Sequence, residues 1–485
     1  MKFVTLVCSL LFCLPSFAQE KFPDGTLIPD WFRQNEIVNI ETLGGKYKIT
    51  DHGVVNDSTL LQTEKIQAVI DQASSKGGGV IIIPKGTYLS GALFFKPKTH
   101  LYLEEGAVLK GSDDISNFPI INTRIEGQSL KYFAALVNAD KVDGFTISGK
   151  GTINGNGLRY WKSFWLRRTV IPKCTNMDEL RPRLVHISNS NDVQLSGVRL
   201  INSPFWTVNP AFCDNVTIHG VTINNPSSNP KGPNTDGINP SSCRNVRISD
   251  CFISVGDDCI TIKSGRDADG RKYGKACENI TITNCIMLSG HGGVVIGSEM
   301  SGGVKRIAIS NCVFDGTNAG IRLKASRGRG GVVEDIRVDN IVMKNIQGDA
   351  FIFDLFYDRL SKVEPVSERT PIFRNIHLSN VTGNDIKRIG YIKGIEEMPI
   401  SELSFSNMNI VAGKGFQAET ATDIRFNNVS FTVEEGPSLN IRQCKDIFLN
   451  DVRTKQPIAG QPVVDLEAIE NLSIIHCDST QIVRK

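Results

Sequence analysis

Three carboxylates, an imidazole and two cations are the groups in this chain whose types and spacing could do chemistry. They sit in four short motifs: Asn234-Thr235-Asp236-Gly237, Gly256-Asp257-Asp258, Gly290-His291-Gly292 and Arg322-Leu323-Lys324. Carboxylates crowded into one patch cannot all ionise freely, so at least one is expected to hold a proton near neutrality. That is the demand on a general acid. Cleaving a glycosidic bond needs such an acid at the leaving oxygen and an ionised carboxylate on the far face, to activate water or to attack the sugar. Arg322 and Lys324 are two apart on a strand and share a face. A guanidinium beside an ammonium suits the carboxylate of a uronic acid, which Arg can engage bidentately. His291 is placed to hydrogen-bond the acid and keep it protonated.

These residues span about ninety positions, so a repeating architecture has to bring them together. The repeat is an apolar residue after Asn or Asp, then alternation, then another Asn or Asp, as in Asn245-Val246-Arg247-Ile248-Ser249-Asp250-Cys251. Its leading apolar residues are Val193, Val216, Val246, Ile280, Ile307, Ile336, Ile376, Leu403, Ile424, Ile447 and Leu472, at spacings of 21 to 40 residues. Period-2 runs too short for helices, followed by Gly, Asn and Asp turn chemistry, read as strands and turns. Spacings that begin in the low twenties and grow by insertion suit a coil of short strands pairing with the next coil. The expected fold is a right-handed parallel β-helix, a single solenoid. Counted from the leading residues, Asp257 and His291 fall in one column. Asp236 joins the column of Asp258 across a small insertion at 227–233, about one strand spacing away, ~4.8 Å at the backbone.

An open solenoid end needs a cover, and Ile66, Val69, Ile70 and Ala73 form the stripe of a capping helix. Asp57, Ser58 and Thr59 are its candidate N-caps. Lys2, the apolar run from Val4 to Pro15 and Ser16-Phe17-Ala18 predict a cleaved signal peptide over 1–18, leaving 19–485 as one domain. Phe12 before Cys13 does not fit a lipid-attachment signal. With no later span-length stretch, an exported, periplasmic or secreted protein without a membrane span is expected. Forty-four glycines and 7% aromatic residues fit a turn-rich β fold, and a net charge of +3 is too small for a nucleic-acid partner. Ten of the twelve cysteines follow the predicted cleavage point. Cys243, Cys251, Cys277, Cys285 and Cys312 are repeat-equivalent, compatible with either a buried ladder or disulfides. No Cys-x-x-Cys or His/Cys cluster offers a structural zinc site, and no cofactor is expected.

Across nearly all of the mature sequence the chain resembles glycoside hydrolase family 28, the polygalacturonase family, carried by the four motifs above. Gly151-Thr152-Ile153-Asn154-Gly155-Asn156-Gly157 and Ser203-Pro204-Phe205-Trp206 match it as scaffold. The resemblance implies that Asp257 is the general acid and that Asp236 and Asp258 activate the water of one inverting displacement. It places Asn234, His291, Arg322 and Lys324 in the sugar subsites. Arg322-Leu323-Lys324 departs from the family's Arg-Ile-Lys only by one apolar exchange, and Tyr357 is the candidate by location for its tyrosine. The implied substrate is pectic polysaccharide or oligogalacturonide cleaved at α-1,4-galacturonosyl linkages, and the expected state is a monomer.

The segment from Leu158 to Arg183 inserts Arg159, Tyr160, Trp161, Lys162, Trp165, Arg167, Arg168 and Arg183 between coils. A basic, aromatic insertion of this kind would block a long groove and bind a terminal sugar acid, with Arg183 as a candidate ligand. With the charged turn from Ser264 to Ala276 it favours exo action over endo cleavage or a rhamnogalacturonan-type substrate. Turn geometry alone accounts for Asp250 and Asn284, and packing for Trp206. The rivals are a pectate-lyase-like eliminase using Ca²⁺ and a noncatalytic carbohydrate-binding β-helix.

Overall fold

Valine and isoleucine at the repeat's leading positions stack in register from coil to coil. In the computed structural model, which describes Lys21, Leu27 and residues 37–226, 228–357 and 362–485, Val193 pairs with Val216, Val216 with Val246, Val246 with Ile280, Ile280 with Ile307 and Ile307 with Ile336. The column continues through Ile376, Leu403 and Ile424. Every one of these pairings is parallel, and the fold is a right-handed parallel β-helix. Ile37–Lys485 is one compact unit. The expected signal peptide, residues 1–18, lies outside the described residues.

Between strands the chain turns through single left-handed residues at φ near 55°, where Asn and Asp are the side chains least strained. Asn215, Asn245 and Asn279 do this on successive coils. Their side chains stack: Asn245 Nδ2 donates to Asn215 Oδ1 at 3.0 Å and Asn279 Nδ2 to Asn245 Oδ1 at 2.9 Å. Asp250 and Asn284 form the equivalent ladder one corner on, which is the turn role expected for them. All ten cysteines among the described residues are free. Cys243, Cys251, Cys277, Cys285 and Cys312 are buried at their repeat positions, as small core residues rather than bridges.

Ile66, Val69, Ile70 and Ala73 are the buried face of helix α1, Thr63–Ser75, which packs against the strands Gly79–Ile83 and Leu93–Phe95. Its start corrects the expected cap. Asp57–Leu61 is a strand, and the helix begins after Gln62, whose side chain bonds Val55 instead of the helix end. Asp57 spends its carboxylate on the Thr59 amide and hydroxyl.

One sheet positions the site. Val137–Asp140, Val185–Ser188 and Val208–Ala211 run into Ile238, then Ile260–Ile262, Val294–Gly297 and Ala319–Lys324 in continuous register. Two insertions rise beside it. Ile120–Ile125 and Gln128–Phe133 form an antiparallel hairpin, and α2, Leu158–Val170, buries Tyr160, Trp161 and Phe164. A third helix, α3, Asp267–Tyr273, fills the turn after Lys263 and is tied to the hairpin by an Arg124–Asp269 ion pair of 3.2 Å.

Candidate active site

The four motifs converge as the column arithmetic places them. The Gly237 amide donates to the Asp258 carbonyl at 3.0 Å, and the His291 amide to the Asp257 carbonyl at 2.8 Å. Asp236 and Asp258 are therefore neighbours on adjacent coils, as are Asp257 and His291. Gly256 is required by close approach, since a Cβ there would lie 2.1 Å from the Gly232 carbonyl. The segment before Asn234 folds down onto the acids at that point.

Side-chain chemistry separates the three acids. Asp236 and Asp258 keep only 5% and 3% of their side-chain surface exposed, against 17% for Asp257. Lys263 Nζ reaches Asp236 at 3.3 Å and Glu299 at 3.1 Å, while Lys324 Nζ donates to Asp258 Oδ2 at 3.0 Å. Asp258 Oδ1 is buried with no partner among the described residues. Burial, with the charges of Asp257 and Asp258, pushes the Asp236 carboxyl up to about 7 against the pull of Lys263. Burial also opposes ionisation of Asp257, but the hydrogen bond and charge of His291, helped by Lys324 and Lys263, bring it down to about 2. The carboxyl expected to hold a proton near neutrality is thus Asp236. His291 Nδ1 is 3.0 Å from Asp257 Oδ1, and that contact raises the affinity of the imidazole for a proton. A cationic His291 would hold Asp257 as a carboxylate, whereas a neutral ring donating from Nδ1 would leave Asp257 able to carry a proton.

Lys324 and Arg322 sit two residues apart at the end of Ala319–Lys324. Burial works against the Lys324 charge, yet Asp258 holds its affinity for a proton above the ordinary value. Arg322 has no carboxylate partner among the described residues, and its Nε is buried and unbonded. Tyr357, half exposed, covers both: its ring centre is 5.6 Å from the Arg322 guanidinium carbon and 5.2 Å from Lys324 Nζ. Asn234 Nδ2 is 3.4 Å from Asp257 Oδ2. Asn234, the three acids, Lys324 and Tyr357 line a cavity of about 470 Å³ together with Glu126 at the hairpin tip, Asn176 and Arg266, while Arg322 and His291 lie outside that lining. Trp206 is stacked on Phe205 with ring centres 5.2 Å apart, and Lys263 Nζ sits 4.0 Å from its ring centre. It packs, as expected, under the cation that holds Asp236.

Arg183 is a correction. It is fully buried and bonds Thr123, the Arg124 carbonyl and Asn209, so it ties hairpin to sheet and presents nothing to a sugar. Two further basic residues of the insertion are engaged with its own side chains, Arg167 with Glu179 and Arg168 with Asn176. What the insertion supplies to the cavity is Asn176.

Four features were not read from the sequence. Arg181, buried between the Phe164 and Phe205 rings at 4.5 and 4.6 Å, donates to the Pro233 carbonyl and to Asn234 Oδ1, fixing the first motif. Lys263 carried a signal, because it follows Asp258 by five residues at the end of the same coil's strand. Lys231 lies in the 227–233 insertion, whose presence was legible but whose direction was not. The hairpin is local in sequence and far from any motif, and nothing in its residues pointed to the site.

Asp257, Asp258 and His291 bring donor atoms within 4.8 Å of one another. A metal ion would have to displace the ammonium groups of Lys324 and Lys231, which contact Asp258 and His291, so no metal is assigned. No helix among the described residues is long and apolar enough to cross a membrane.

Paired acids of unequal proton affinity, with a guanidinium that has no carboxylate partner among the described residues, stand on a parallel β-helix in an arrangement that can serve glycoside cleavage. Residues 103–429 match the model of glycosyl hydrolases family 28, and the chain belongs to that family. It is 32% identical over 388 residues to a probable polygalacturonase of Vitis vinifera, covering 78% of this chain and 77% of the relative. An endo-polygalacturonase of Pectobacterium carotovorum is 28% identical over 345 residues, covering 69% and 80%. Among solved structures, an exopolygalacturonase from Thermotoga maritima superposes with a TM-score of 0.71 at 28% identity, covering 79% of this chain and 91% of that one.

Proposed function

We propose that this glycoside hydrolase cleaves α-1,4-galacturonosyl linkages of pectic chains by a single inverting displacement, removing sugar from a chain end. The observation that carries the reading is the grouping of three acids in unlike environments with Arg322, two strands further along the sheet, which has no carboxylate partner among the described residues. Arg322, Lys324 and Tyr357 receive the sugar carboxylate. Asp257, the most open of the three acids, gives its proton to the leaving glycosidic oxygen as the bond to the anomeric carbon breaks. Water attacks that carbon from the far face and loses its proton to the Asp236/Asp258 pair, in which Asp258 sits ion-paired with Lys324. One water is consumed, and the base proton returns through solvent to reset Asp257.

Exo action is supported by Glu126, Asn176 and Arg266, which line the cavity from the inserted segments and contact one another through Glu126. The amino-terminal signal pattern supports export to the periplasm or beyond. Residues 19–485 would act there as a single-domain monomer.

The test is incubation with oligogalacturonides of defined length in the presence of a chelator, with Asp257→Asn as control. Saturated monomer from the earliest times, absent in the variant, is the expected result. Mixed short oligomers would establish endo action. Chelator-sensitive release of an ultraviolet-absorbing unsaturated product would replace hydrolysis by elimination. Inactivity here and on rhamnogalacturonan fragments would sink the assignment.

A further inference from the structure

His291 is contacted at both ring nitrogens. Nδ1 is 3.0 Å from Asp257 Oδ1, and Nε2 is 2.5 Å from Lys231 Nζ. Only one proton can lie between two nitrogens at that separation. If Lys231 is an ammonium, the imidazole is neutral, accepts at Nε2 and carries its hydrogen on Nδ1. If His291 is an imidazolium, Lys231 must be a free amine. The contact is built rather than incidental. The indole Nε1 of Trp165 donates to the Lys231 carbonyl at 2.7 Å, the Gly232 carbonyl accepts from Thr235 Oγ1 at 2.8 Å, and Arg181 anchors the Pro233 carbonyl. The loop is held on both sides of Lys231.

The two protonation patterns differ in what they do to the acid. An imidazolium at 3.0 Å binds Asp257 as a carboxylate, an ion pair with no proton for a leaving oxygen. A neutral imidazole with hydrogen on Nδ1 donates to Oδ1 and leaves Oδ2 free to carry the acid proton. We propose that Lys231 is a positioning residue for the general acid: its ammonium on His291 Nε2 favours the neutral Nδ1–H imidazole over the imidazolium that holds Asp257 as a carboxylate, and so raises the share of Asp257 able to give a proton to the leaving oxygen. This rests on the glycosidase reading of the site.

The charged groups around the pair agree in sign. His291 faces Asp257 and Asp258, which raise its affinity for a proton, and Lys231, which lowers it. Burial lowers the affinity of Lys231 for its own proton, while Asp257 and Asp258 sustain it. Asp257 is acted on in addition by Lys324 and Lys263. Among the described residues in contact with His291, Lys231 thus adds its charge to burial in resisting formation of the His291–Asp257 ion pair.

The experiment compares the full chain with Lys231→Met and Lys231→Arg, using two readouts: the titration and tautomer of the His291 imidazole by nitrogen NMR without substrate, and the pH profile of kcat/KM on an oligogalacturonide. In Lys231→Met the His291 midpoint should rise by about one pH unit, and the alkaline limb of kcat/KM should move down by a similar amount. The loss should fall on kcat more than KM, and Lys231→Arg should restore both readouts. A loop-tethering role would lower stability or raise KM and leave the His291 titration and the pH profile where they were. Either result in that form overturns the proposal. The NMR arm needs no turnover, so inactivity of the parent chain on pectic fragments refutes the glycosidase reading separately from the role of Lys231.

Discussion

Asp236→Asn should make the protein more stable at alkaline pH and leave it unchanged in acid, while Asp257→Asn should do the opposite of the first. The Asp236 carboxyl goes from 3.8 in the unfolded chain to about 7 in the fold. Its folded form binds the proton more tightly, so its contribution is fully present below pH 3.8 and is lost as pH rises through 7. A difference of about three units at ~1.4 kcal/mol each gives an upper bound of ~4 kcal/mol lost by about pH 8. Asn resembles the protonated acid in shape and cannot ionise, so the variant is spared that loss. Asp257 has the contrary sign: its carboxyl falls from 3.8 to about 2. Its contribution, ~2.5 kcal/mol on the same conversion, is present above 3.8 and lost as pH falls toward 2. Urea midpoints of the parent and both variants between about pH 4 and pH 8 measure this. The expected pattern is an Asp236→Asn advantage that opens with pH and an Asp257→Asn deficit already present at pH 6. Advantages that run parallel across the whole range, or both variants shifting in one direction, would refute the electrostatic account of the site.

Other consequences follow from single contacts. Lys324→Met leaves Asp258, 3% exposed, as a buried unpaired carboxylate, which should cost about 3 kcal/mol; adding Asp258→Asn should recover most of that in a chemical-denaturation series while activity stays absent. Arg322→Gln should raise KM at least tenfold on uronate oligomers with stability within ~0.5 kcal/mol of the parent, because Nε is unbonded and no carboxylate among the described residues loses a partner. Glu126→Gly with Asn176→Ala removes two bonded side chains from the cavity lining, and on the exo reading chromatography of early products should show monomer giving way to mixed oligomers.

The solenoid and the three acids were legible because a β-helix converts sequence position into spatial position with little freedom. Val246 plus 11 and Ile280 plus 11 had to be neighbours once Val246 paired with Ile280. The same logic placed Arg322 and Lys324. It fails where the chain leaves the coil. Arg183 looked available because it is basic and near the insertion, but its position in front of Val185–Ser188 turns it into the interior against Asn209. Asp57 looked like a helix cap because nothing local distinguishes an Asx turn closing on Thr59 from a cap. Lys231 and the hairpin tip at Glu126 reach the site through loop paths that no period encodes. The ionisation of the acids depends on burial and on the cations that neighbouring coils bring against them, so the sequence could say that one carboxyl holds a proton but not that it is Asp236.

The most direct test of the mechanism is proton NMR of the first turnovers on trigalacturonate, reading the anomeric form of the newly released reducing end before mutarotation. The α-linked substrate should yield the β anomer, the product of one displacement by water held by Asp236 and Asp258. Asp257 and Asp258 bring oxygens within 4.8 Å, close to the spacing of about 5 Å found where a carboxylate itself attacks the sugar. Release of the α anomer would show that one of them does so here, and would contradict the single inverting step.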